Sequence, residues 1–208
     1  LSKTFIKAAL EAGYPHTRDM NGYQQEGFGS MDMTIKNGIR NSTYHAYLQP
    51  ILNRPNLDVV TESQVEKIIM SKDNGEYRAT GIEYIANGTK KKVMCDNEVI
   101  LSAGAINSPQ ILMMSGIGHN EHQIPILLDL PDVGRNLQDH LELYVQAKCK
   151  QDITLLNWGS WKNPISKMKA GLEWFHGKQG ICSSNHFEVG GFIRSRAGIK
   201  HPDIQYHF

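Results

Sequence analysis

Apolar residues recur with helical spacing at the start of the chain. Leu1, Phe5, Ala9 and Ala12 share one face and Gly13 follows as a stop, which predicts an amphipathic helix. The stretch NGYQQEGFGSMDMTIKNGIRNSTYHAYLQP reads as a glycine-rich polar loop until Ser42 or Thr43 caps a helix carrying Tyr44, Tyr47, Leu48 and Ile51, which Pro50 limits or kinks. From Asn56 to Gly104 the period changes to two: NLDVV, QVEKIIMSK, a turn at Asp73-Asn74-Gly75, RATGIEYIA, an Asn87-Gly88 turn, KKKVM and EVILSAG. This predicts a β-meander feeding a last strand, EVIL, whose unbroken apolar run is the pattern of a strand buried on both faces. The fold class is therefore α/β. Beyond Gly118 the pattern predicts an extended ILLDLPDVG, a loop GRNLQDH, a strand LELYVQAK, a mixed segment with Trp158, Trp161 and Trp174, and closing strands GGFIRS and DIQYHF.

Composition narrows the function classes. Lys plus Arg (22) nearly balances Asp plus Glu (21), so no basic field argues for nucleic acid and no basic amphipathic run for a membrane surface. Cys95, Cys149 and Cys182 are odd in number and far apart, without a CxxC pair, so neither a disulfide framework nor a zinc site is expected, and a reducing compartment suits them. No apolar run reaches the ~18 residues of a membrane span. The chain of 208 residues opens on Leu1 rather than Met, which is the start expected of a fragment.

Chemistry concentrates first in Gly104–Gly118, GAINSPQILMMSGIG, where a short apolar helix is bracketed by small residues. Asn107-Ser108-Pro109 is expected to start that helix, with a capping side chain and Pro at the first helical position, and Ser115-Gly116 with Gly118 to end it. A helix N-terminus just beyond the end of a strand offers free N–H groups and the positive end of a dipole, suited to an anionic group such as a pyrophosphate. The alternative is a strand-to-helix turn that needs small residues for packing alone.

The same fifteen residues match, at every specified position, the second signature of the glucose-methanol-choline oxidoreductases. RNSTYHAYLQPILNRPNLDVVTESQVEKI, GIEY, EVILSAGAINSPQ, DLPDVGRNLQDH, and GGFIRS followed by PDIQYHF resemble further landmarks of that family in the same order. SNHFEVGGFIRS and NGYQQEGFGSMD are most similar to its choline-oxidising branch. The resemblance implies part of a Rossmann-like FAD-binding domain over 1–140 and the start of an α+β substrate-binding domain over 141–208. It implies FAD as cofactor, choline as substrate oxidised toward betaine aldehyde, a respiratory-chain electron acceptor, and a mitochondrial enzyme associated with the inner membrane. The GxGxxG loop and the C-terminal catalytic His pair of the family are not found in this chain, which therefore resembles the middle third of such an enzyme. GHNEHQIPILL is shorter than its counterpart in the family. A different alcohol, or a catalytically inactive truncated product, is the alternative to choline oxidation.

Carried over from the family, the cofactor-contacting residues are Val65, Ser102, Ala103, Gly104, Asp139 and His140. A strand at Val65 can offer backbone N–H and C=O groups to an adenine, or Val65 is an ordinary inward-facing strand residue. Asp139 and His140 either order the loop around a flavin or form a local Asx clasp. In His186-Phe187-Glu188, a carboxylate beside an aromatic ring suits a quaternary ammonium, which has no N–H and is held only by charge and by aromatic faces. Opposite charges ~4 Å apart attract by about 4 kcal/mol at an effective dielectric near 20, before desolvation. His186 is the candidate catalytic residue, placed to hydrogen-bond an alkoxide forming at the substrate hydroxyl, while Phe187 and Glu188 are the substrate-binding candidates. Without the family the triplet reads as an exposed strand pair. An HxE pair with no third ligand and no HExxH gives no metal site.

Overall fold

The computed structural model describes residues 1–119, 124–151, 153–154, 158–159 and 163–208. Trp161 and residues 120–123 of the short GHNEHQIPILL segment therefore lie outside the described residues. Helices and sheets are mixed along the chain, which divides into two compact units. One unites Leu1–Leu57 with Gln146–Phe208, and the other is Asp58–Val145.

In the first unit, helix α1 (Ser2–Glu11) packs beside a three-stranded antiparallel sheet of order β1-β9-β10. Strands β1 (Gly27–Ser30), β9 (Val189–Ile193) and β10 (Ile204–His207) join sequence segments far apart, with Ser30 opposite Val189 and His207 opposite Gly190. The expected apolar face of α1 meets this sheet: Ala9, Phe28 and Ile193 are buried together and Phe5 packs against them. Phe5 stacks on Phe208 at 4.5 Å and meets the Phe28 ring edge-on at 5.8 Å. Aromatic pairs of these geometries contribute about 0.5–1.5 kcal/mol each beyond area burial.

The segment read as a loop contains β1 and a small hairpin, β2 (Ile35–Lys36) and β3 (Ile39–Arg40), around Asn37-Gly38. The glycines of GFGS hid the first by breaking period-two alternation. The helix expected after Ser42 is not a regular α-helix: a wide π-turn over Tyr44–Leu48 runs into a tighter 3₁₀ turn over Gln49–Ile51 that contains Pro50. Helix α3 (Pro164–Gly177) starts on Asn163, whose side chain accepts from the Ser166 N–H at 3.2 Å. Its Trp174 donates from Nε1 to the Gly38 carbonyl at 2.9 Å.

The second unit carries the meander. Strands β4 (Ser63–Asp73), β5 (Glu76–Ala86) and β6 (Thr89–Met94) form an antiparallel sheet in that order, turning at Asn74-Gly75 and Asn87-Gly88. Glu83 on the central strand faces Lys67 at 3.4 Å and Lys92 at 2.8 Å, one lysine from each neighbour. Helix α2 (Gly104–Met114) follows, and β7 (Ile117–Gly118) pairs in parallel with β8 (Leu128–Asp129).

Three expected strands are not formed. NLDVV, EVIL and LELYVQAK run without a ladder partner among the described residues, and Ile100 is 79% exposed. A strand exists only by pairing its N–H and C=O groups with a neighbour. None of the described strands lies beside residues 98–102 or 141–148, so the apolar pattern there is not expressed as a sheet. Among the described residues no helix is long and apolar enough to cross a membrane.

Candidate functional site

In the second unit, the chain leaves the extended 98–103 segment and turns into α2 through Gly104, whose φ is +87°. This is three residues before the expected start, and Pro109 sits inside the helix rather than at its first position. Ser108 is not a forward cap either. Its hydroxyl reaches back to accept from the Ala103 N–H at 3.0 Å, fixing the entry of the chain instead. Ala103, at the cap position, makes no side-chain capping bond, so the first-turn N–H groups of α2 face outward without a side-chain acceptor there. A Cβ built on Gly104 would meet nothing within 4 Å. Ser102 and Gly104 are exposed and Ala103 is half-buried.

The far end of α2 is anchored to β4 by Ser115, a residue the sequence reading used only as a stop. Its buried hydroxyl donates to the Ile111 carbonyl at 2.6 Å and accepts from the Ile68 N–H at 2.8 Å. Val65 lies three residues before Ile68 on this edge strand, half-buried, opposite Tyr84 and next to a break in register between Val65 and Lys67. Gly134 rests against Met113 and Pro109 of α2, bringing the loop that leads to Asp139 and His140 onto the same helix. Asp139 accepts from the backbone N–H of His140 at 2.8 Å, and both are exposed, so the local clasp is present. Ser102, Ala103, Gly104 and Val65 are thus tied to opposite ends of one helix.

The His186-Phe187-Glu188 triplet lies in the first unit, at the head of β9. The Glu188 carbonyl accepts from the Met31 N–H at 2.9 Å beyond β1, and the next residue, Val189, pairs with Phe208 on the β10 side. The turn before it is closed by two short side chains. Ser184 Oγ accepts from the His186 N–H at 3.0 Å, and Asn185 Oδ1 accepts from the Phe187 N–H at 3.1 Å. His186 takes a φ of +67° there. The Phe187 ring stands edge-on to His207 at 5.6 Å, so an imidazole from β10 joins the group. Ser2, on the first turn of α1, donates its hydroxyl to Glu188 Oε2 at 2.8 Å.

The Ser2 hydroxyl, and after it Ser184, hold the Glu188 carboxyl below the usual carboxylate range; partial burial pulls the other way and His186 adds attraction. The carboxylate is therefore ionised at neutral pH, on an exposed residue beside the Ser2 and Ser184 hydroxyls. Sequence reasoning missed Ser184, which acts within the local turn, and Ser2 and His207, which approach the triplet through the docking of α1 and the pairing of β9 with β10. A cleft of about 760 Å³ in the same unit is lined by Met20–Glu26, Arg194, His201 and Pro202 and takes in none of these residues. Arg194 is tied there to Glu26. Among the described residues no three His, Cys, Asp or Glu converge as metal ligands.

The model of the GMC oxidoreductase family matches residues 1–142. The chain belongs to the GMC oxidoreductase family. It is similar to mitochondrial choline dehydrogenase of Mus musculus, 51% identical over 100% of this chain and 34% of that protein. It is also similar to the oxygen-dependent choline dehydrogenase of Burkholderia pseudomallei (strain K96243), 46% identical over 100% of this chain and 36% of that one. The chain thus spans about a third of the length of the curated relatives it matches. Among solved structures it superposes on the Aspergillus oryzae formate oxidase, a protein studied for modification of its FAD. That match has a TM-score of 0.72 and 25% identity, over 92% of this chain and 33% of that one. The GMC oxidoreductase fold accounts for the mixture of meander, helix and glycine-rich turns in one chain.

Proposed function

We propose that this chain is part of an FAD-dependent enzyme that oxidises an alcohol, with choline as the substrate and betaine aldehyde as the product. The observation that carries the reading is the ionised Glu188, which follows Phe187 in the chain, in a sequence 51% identical over its length to a choline dehydrogenase. In this reading residues 1–140 contribute to the cofactor domain and 141–208 open the substrate domain.

The residues of the second unit fit the flavin cofactor. Open space over Gly104 and an uncapped α2 N-terminus form a place where backbone N–H groups can meet a pyrophosphate, with Ser102 and Ala103 on the approach. Val65 lies on an edge strand, where an adenine could approach its backbone in place of the Gln64 amide that now bonds its carbonyl, and Asp139 with His140 orders the adjoining loop. When bound, the flavin supplies the hydride acceptor. Glu188 binds the trimethylammonium group by charge and Phe187 presents its ring to the same cation. His186 takes a hydrogen bond from the substrate hydroxyl and helps hold the proton as the alkoxide forms. In this reading the enzyme works in a mitochondrial setting, as the names of the mammalian relatives suggest, and a respiratory acceptor is what the family resemblance implies for its electrons.

Glu188→Gln in the flavin-loaded enzyme tests the reading, because it keeps shape and removes charge. Affinity for choline should fall by about twentyfold or more. Binding of 3,3-dimethylbutan-1-ol, the uncharged isostere, should change little. Equal losses for the two ligands would make Glu188 a structural residue and remove the basis for choline.

A further inference from the structure

We propose that Ser2, on the first turn of α1, is a specificity-determining positioning residue. Its hydroxyl fixes the Glu188 carboxylate in one orientation, so that the enzyme prefers a cationic alcohol over a neutral one of the same shape. The inference rests on the choline reading of Glu188 and adds to it a residue 186 positions away in sequence.

Three observations carry it. The Ser2 hydroxyl lies 2.8 Å from Glu188 Oε2 and is directed at the carboxylate, while α1 has no side-chain cap of its own; the hydroxyl serves the site and not the helix. The backbone of Glu188 is fixed by the bond from Met31 to its carbonyl and by the pairing of its neighbour Val189 with Phe208, so the side-chain torsions are the main freedom left to the carboxylate. One charge-assisted hydrogen bond at the oxygen removes that freedom. Finally, α1 is seated on the sheet by Phe5 against Phe28 and Phe208, so the donor stands on a packed element and not on a loose loop. A carboxylate oriented before binding loses less entropy when the cation arrives. Ser184 stands nearby, bonded to the His186 N–H, and His186 is the titratable side chain that acts on the carboxylate.

The test compares Ser2→Ala, Ser2→Thr and Glu188→Gln in the flavin-loaded enzyme, with binding of labelled choline and of 3,3-dimethylbutan-1-ol measured by equilibrium dialysis across the acid-to-neutral range. Alanine is favourable in a first helical turn, so the fold is kept. Ser2→Ala should weaken choline about threefold to tenfold, the range of one ordinary hydrogen bond. It should leave the isostere unchanged and move the acidic loss of choline binding to higher pH, because a donor that favours the ionised form is gone; Ser2→Thr should restore all three. If Ser2→Ala weakens both ligands alike, or leaves the preference and its pH limb where they were while Glu188→Gln abolishes the preference, the assignment of Ser2 is overturned and the choline reading stands. If Glu188→Gln itself leaves the preference intact, the choline reading falls and the role of Ser2 falls with it.

Discussion

Gly104→Val separates a backbone strain from a blocked ligand approach. Gly104 has φ +87°, a region in which an ordinary L-residue is disfavoured by about 1–2 kcal/mol and a β-branched one by more. No atom lies within 4 Å of its built Cβ, so the substitution meets no steric opposition from the protein. The loss in folding stability should be the backbone strain alone. Gly75, in the β4–β5 turn, provides a matched control with φ +90° and the same open surroundings, and Gly75→Val should lose a similar amount. The two variants part company over the cofactor. If the N–H groups at the start of α2 meet the pyrophosphate, a valine there removes at least two charge-assisted hydrogen bonds of about 1.5–3 kcal/mol each, weakening flavin binding by about a hundredfold or more. Denaturant midpoints and visible flavin absorbance per mole of protein, measured on both variants of the complete enzyme, give the two quantities independently. Similar flavin content in folded Gly104→Val and Gly75→Val would refute the placement of the cofactor at this turn.

Ser115→Ala should destabilise the protein by about 1–3 kcal/mol, because it leaves the buried Ile68 N–H without an acceptor, and urea denaturation reads this directly. Lys92 and Lys67 hold the Glu83 carboxyl below its ordinary value, so its stabilising contribution is present above the unfolded-state value and is lost as pH falls through the folded one. Glu83→Gln should therefore be less stable than the parent at neutral pH and approach it in acid; a difference that stays constant with pH would sink the ion-pair account.

What could be read from the sequence, and what could not, follows from the range of the interactions involved. The β4-β5-β6 meander was legible because Asn74-Gly75 and Asn87-Gly88 set each register within two residues, and the alternating side chains agree with it. The amphipathic face of α1 was legible for a similar reason, since its period is a property of the segment. TIKNGIR carried the same turn signal at Asn37-Gly38 and could have been found by it. EVIL and LELYVQAK have stronger strand patterns than β1, yet they form no ladder while glycine-rich GFGS does. A pattern states a preference, whereas a partner with free N–H and C=O groups decides the outcome, and β1 has β9 beside it.

The same distinction runs through the candidate site. Gly104 could be singled out from its neighbours because a turn that needs φ near +90° and open space selects glycine at the position itself. Glu188 was visible as a charge next to an aromatic ring, but a charge in a sequence has no orientation. Its partners Ser2 and Ser184 come from α1 and from the turn before β9, while His207 of β10 meets the neighbouring Phe187 ring, and no charge or spacing of their own marks these contacts. An exposed carboxylate and a selective one differ chiefly in whether such donors hold it still, because a mobile side chain must be ordered by each ligand it binds. Selectivity for a cation with no N–H to donate therefore depends on residues that never touch it. They are specified by the pairing of β9 with β1 and β10 and by the seating of α1 on that sheet, and so by the fold rather than by any motif.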